Sequence, residues 1–117
     1  MKLLASKTEN DYRTQLVESR SSLFSDPKNR SLLEHLRNHY PELKTAYTIG
    51  WTPEQGEDTY RILVNTDTVC AIELSHDQEE PPLIKSFPLN EYEKPLSKTG
   101  RIKLAVAVDL ATIDIRP

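Results

Sequence analysis

Residues 59–75 read TYRILVNTDTVCAIELS, and the fold turns on how this stretch pairs. Tyr60, Ile62 and Val64 alternate with Arg61, Leu63 and Asn65. Period-two alternation with β-branched and aromatic residues marks a strand. A second run, Thr68–Leu74, carries Cys70, Ile72 and Leu74 on one side and Val69, Ala71 and Glu73 on the other. Both sides are mostly apolar, so this strand sits inside a sheet and is covered on both sides over part of its length. Asn65, Thr66, Asp67 and Thr68 lie between the runs. Asn and Asp tolerate left-handed backbone and bond to their own chain, which suits a tight hairpin turn. A lone hairpin is marginal in water, so further elements must pack on it.

Upstream, Ser6 and Glu9 have the spacing of a capping box, and a helix follows to about Ser22. Its apolar residues are sparse, with Tyr12 and Leu16 on a narrow stripe. Asp26-Pro27 starts a second helix, because Asp accepts from free backbone donors and Pro fits the first helical position. Leu32, Leu33, Leu36 and Tyr40 form its core face, and Pro41 ends it. Lys44–Trp51 reads as a strand with Thr45, Tyr47, Ile49 and Trp51 on one face, followed by a loop over Thr52–Asp58.

Downstream, His76–Pro82 is a second acidic loop, Leu83–Phe87 a short strand and Leu89–Lys94 a single helical turn. In Arg101–Ile115, Ile102, Leu104, Val106, Val108 and Leu110 alternate with Lys103, Ala105, Ala107, Asp109 and Ala111. That alternation favours a strand over a helix. The expected fold class is α+β: two N-terminal helices laid on one face of a mainly antiparallel sheet of four to five strands, as one domain over residues 1–117.

Apolar residues make up 37% of the chain and charged ones 28%, which describes a polar globular domain. No apolar run approaches the roughly 20 residues needed to span a bilayer. Only three apolar residues follow Lys2, short of a secretory core segment, and the single cysteine forbids an internal disulfide. Together these indicate the cytoplasm. Net charge is −3, unevenly distributed. Residues 1–44 carry eight Lys/Arg and six Asp/Glu; residues 45–97 carry three Lys/Arg and ten Asp/Glu; residues 98–117 carry four and two. The acid is concentrated in the middle.

No catalytic or cofactor signature stands out. His35 and His39 are four apart on a helix, a spacing that suits a metal, but Leu36 stands where a zinc protease would carry Glu. An exposed face with two incidental histidines accounts for them. Cys70 lies between Val69 and Ala71 in the most apolar strand, where a thiol keeps a high pKa and stays inert. His76, Asp77, Glu79 and Glu80 cluster at a strand end, as any solvated loop does. The three glycines form no phosphate-binding pattern. No catalytic residue, metal ligand or cofactor is therefore expected.

The acidic middle gives the one functional direction. Glu54, Glu57 and Asp58 lie in one loop, and Asp77, Glu79 and Glu80 in another. In a meander the two loops emerge at the same end of the sheet. A patch of this sign repels DNA and RNA and attracts a basic surface. Trp51, beside the first loop, would supply an apolar anchor. The expected function is a small protein-binding module for a basic partner, most sharply an inhibitor or immunity protein neutralising a nuclease toxin. A solubilising acidic rim accounts for the same residues equally well. The alternative is a small enzyme or ligand-binding domain with a pocket between sheet and helices and His39 or His76 as acid–base. A third reading is a structural subunit that pairs with its own copy through an edge strand.

Overall fold

The computed structural model describes residues 3–77 and 80–116. Helix α1 (Lys7–Ser25) opens on the expected capping box. Glu9 N–H donates to Ser6 Oγ at 3.2 Å, and the Glu9 carboxylate accepts from the backbone N–H groups of Ser6 (2.5 Å) and Leu4 (2.7 Å). These amides, Ser6 first, hold the Glu9 carboxyl below the usual carboxylate range. Asp26 then caps a single 3-10 turn, Pro27–Asn29, which runs into α2 (Arg30–His39). Strands β1 (Ala46–Glu54), β2 (Glu57–Val64), β3 (Thr68–Ser75) and β4 (Leu83–Pro88) follow. A short α3 (Leu89–Glu93) and a long α4 (Lys98–Ile115) complete the chain.

The four strands form an antiparallel meander in the order β1-β2-β3-β4. Asn65 takes the left-handed turn position expected of it, with φ 54°. Its side chain also accepts from Lys44 N–H (2.8 Å) and donates to Glu42 O (3.2 Å), tying the turn to the end of α2. The first turn is tighter than expected. Pro53 pairs with Asp58 and Glu54 with Glu57, so the loop expected over Thr52–Asp58 contracts to Gln55–Gly56, with Gly56 at φ 87°. Proline is tolerated there because β1 is an edge strand.

Two further corrections concern the layers. The stretch 101–115 is helix, not strand, and among the described residues the sheet has four strands. Ser97 caps α4 by accepting from Gly100 N–H at 3.2 Å. Nor do the N-terminal helices share one face. Ile62, Val64, Cys70 and Ile72 pack with Leu32 and Leu36 of α2. Leu63 and Val69, on the opposite face, pack with Leu104, Val106, Ala107 and Ala111 of α4. Helix α1 runs along β1 and gives Leu16 to the α4 side and Leu23 to the α2 side.

A polar tie joins α1, β1 and α4. Thr45 Oγ1 donates to Asp114 Oδ2 at 2.7 Å and accepts from Arg20 Nε at 2.8 Å. The Tyr47 hydroxyl donates to the same carboxylate oxygen. Thr45 and Tyr47 are fully buried, so Asp114 satisfies two hydroxyls that water does not reach. Burial, then this carboxylate, push Tyr47 up to about 12.

Ile62 and Leu63 are adjacent and point to opposite faces. Ile62→Ala and Leu63→Ala are each expected to lower the unfolding free energy by about 2–5 kcal/mol in urea titrations. A near-neutral result at either position would contradict a sheet covered on both sides.

Candidate functional site

The acidic loops meet at the end of the sheet away from Asn65. The His76 N–H donates to Gly56 O at 2.8 Å, which joins the end of β3 to the β1–β2 turn. Glu54 and Glu57 face each other across that turn, and Glu73 lies diagonally from Glu57 on the neighbouring strand. By strand alternation these three share the α4 side of the sheet. Burial, followed by the negative charges of Glu73, Glu54 and Glu80, raises the Glu57 carboxyl above its ordinary value. Arg61 and Lys85 stand on the same side in register with Ala71, but among the described residues no ion pair joins them to these acids.

Asp58 points the other way, to the α2 side, where its Oδ2 lies 3.1 Å from His76 Nε2. Asp77 is exposed and its N–H donates to Ser75 Oγ at 3.0 Å. Glu80 is exposed, with its N–H donating to Asp77 O at 3.2 Å. Glu79 lies outside the described residues.

Trp51 is not on the face expected of it. Thr48 pairs with Ile62 and Gly50 with Arg61, so Ile49 is an extra residue, a β-bulge in β1. One inserted residue exchanges the faces of everything beyond it. Tyr47 and Ile49 remain on the α4 side in the core. Trp51 moves to the α2 side, opposite Tyr60, with ring centroids 6.4 Å apart and planes 12° from parallel. The indole is 59% exposed. Neither Tyr60 nor Glu73 is among the site residues that the sequence leads one to expect. The hairpin register pairs Tyr60 with Trp51 and sets Glu73 diagonal to Glu57, but alternation alone does not supply that register.

The remaining candidates separate. Cys70 is fully buried, and burial pushes its thiol up, as its apolar strand implies. The Tyr40 hydroxyl, bonded to Ser86 Oγ, is pushed up to about 12, chiefly by burial. His35 is half-buried, and exposed His39 packs edge-on to Tyr40. His39 lines an open polar hollow with Glu42, Lys44 and Asp67 at the Asn65 end of the sheet, remote from His76. Among the described residues no group of three or more His, Cys, Asp or Glu comes together as a metal ion requires. Among them, too, no helix is long and apolar enough to cross a membrane.

Compared with known proteins, the chain matches no family model, no curated protein and no solved structure.

The raised Glu57 carboxyl sets a pH dependence. A carboxyl whose pKa is higher in the fold than in the unfolded chain contributes most to stability below its unfolded value. That contribution is lost as pH rises through the folded value. Glu57→Gln is therefore expected to raise Tm at neutral pH and to give no gain at about pH 4. Equal effects at both pH values would contradict a Glu57 carboxyl raised by burial and by the charges of Glu73 and Glu54.

Proposed function

We propose that this chain is a protein-binding module that docks a basic partner through the end of the sheet carrying Trp51 and the acidic turn. The observation that carries the reading is the exposure of Trp51. A tryptophan left 59% accessible is an unusual surface residue, and here it shares a side of the sheet with Asp58, next to the turn that carries Glu54 and Glu57 on the other side. Interfaces are commonly anchored by a large aromatic residue within a polar rim. The negative charges of Glu73 and Glu54, which add to burial in raising the Glu57 carboxyl, support the same reading. Carboxylates that destabilise one another gain when a cationic surface covers them.

The form of this function that fits best is an inhibitor or immunity protein. Such a protein would cover the basic nucleic-acid site of a nuclease toxin by presenting carboxylates where phosphates would lie. The same charge disfavours direct binding of DNA or RNA by this end of the chain.

The test is capture from lysate by the immobilised chain, with a salt step and a charge-neutralised variant. One basic protein is expected, released by roughly 0.5 M salt, where exposed charge pairs are screened over a few ångströms. Glu54→Gln, Glu57→Gln and Glu73→Gln together are expected to weaken its affinity on the order of tenfold. Affinity insensitive to salt and to the triple substitution would overturn the reading.

A further inference from the structure

A cleft of about 450 Å³ opens between the end of α1, the α1–α2 connection and the α2 side of the sheet. Buried Leu23 and Leu32 line its apolar part, and Trp51 and Tyr60 line its sheet side. The two rings are nearly parallel, with centroids 6.4 Å apart, and the indole is the more exposed of the two. Three charged residues border the cleft: Asp26, Asp58 and Lys28. Asp26 Oδ1 is engaged as a local cap, accepting from the Lys28 backbone N–H at 3.0 Å. Asp58 is held differently. His76 Nε2 contacts its Oδ2 at 3.1 Å, which fixes the carboxylate and leaves Oδ1 to accept from an incoming donor.

An exposed aromatic ring, an apolar wall and a held carboxylate together match one side chain. A guanidinium is flat, so it stacks on an aromatic face while its edge presents N–H groups to a carboxylate. A lysine ammonium is compact and strongly hydrated, and offers no plane to stack. The aliphatic stem of arginine suits Leu23 and Leu32. The net charge of the lining, two acids against one Lys, also favours a cation.

We propose that this cleft is an anchor pocket for one arginine side chain of the partner protein. Trp51, backed by Tyr60, stacks on the guanidinium, Asp58 accepts its N–H groups, and His76 acts as a positioning residue for Asp58. The inference rests on the docking reading above and adds the chemistry of its central contact.

The chain contains one tryptophan, so its emission reports on this cleft alone. The experiment titrates the full chain with the peptide acetyl-Gly-Arg-Gly-amide and with its lysine counterpart at low salt. A saturable change in Trp51 emission is expected, with the arginine peptide roughly threefold or more tighter than the lysine peptide. Asp58→Asn is expected to weaken arginine binding by a similar factor. Lys28→Gln, at an exposed position that leaves the fold intact, is expected to strengthen it. Lys28→Gln alone decides the matter if Asp58→Asn melts early. A response that never saturates, equal response to both peptides, or no change in Lys28→Gln would overturn the pocket. The docking reading is judged separately, by capture through Glu54, Glu57 and Glu73. Salt-labile capture that persists alongside a failed peptide titration removes the anchor alone.

Discussion

The architecture depends on one hairpin whose two faces are both dry. Ile62, Val64, Cys70 and Ile72 on one side, and Leu63 and Val69 on the other, are all nearly inaccessible to water. Each such side chain contributes about 1.5–3 kcal/mol when fully buried, and only if something covers it. A chain with 37% apolar residues has few to spare, and it concentrates them in β2, β3 and the helices that flank them. One face takes α2. The other requires a second helix, and α4 supplies it. The polar tie through Asp114 then secures α4 to β1 and α1, using a carboxylate that answers two buried hydroxyls.

This two-sided burial governs only the half of the sheet nearest Asn65. Toward Gly56 the side chains of β1 and β2 are exposed or half-buried. The bulge at Ile49 marks the change. Without it, Trp51 would follow Tyr47 and Ile49 onto the α4 side. With it, the indole emerges on the α2 side beside Tyr60, and the acids of the turn divide between the two faces. A single unpaired residue in an edge strand thus converts a core pattern into an exposed aromatic one.

Much of this was legible because it is local. Ser6 with Glu9, Asp26 with Pro27, and Asn65 in its turn each satisfy backbone groups within a few residues, so their roles can be read directly. The apolar pattern on both sides of Thr68–Leu74 signalled the double cover. What it could not reveal was which segment supplies the second layer. In α4, apolar residues at every second position imitate a strand. With Ala105, Ala107 and Ala111 between them, the segment is apolar nearly all round, as a helix packed against a sheet and α1 can be. Its length and the Ser97 cap were the better signals. The acidic end was legible as a meeting of two loops. The face of Trp51 was not, because a bulge depends on strand register and leaves no mark on composition.

The functional account joins an exposed tryptophan, a held carboxylate and a set of mutually repelling acids at one end of the sheet. Its central claim concerns location: the Gly56 end, rather than the α4 surface or the hollow near His39, meets the partner. Amide hydrogen exchange of the chain, free and bound to the basic protein it captures, tests this most directly. The account predicts added protection over residues 51–60 and 73–77, with the α4 amides unchanged. Protection confined to α4 or to the residues around Asn65 would contradict it.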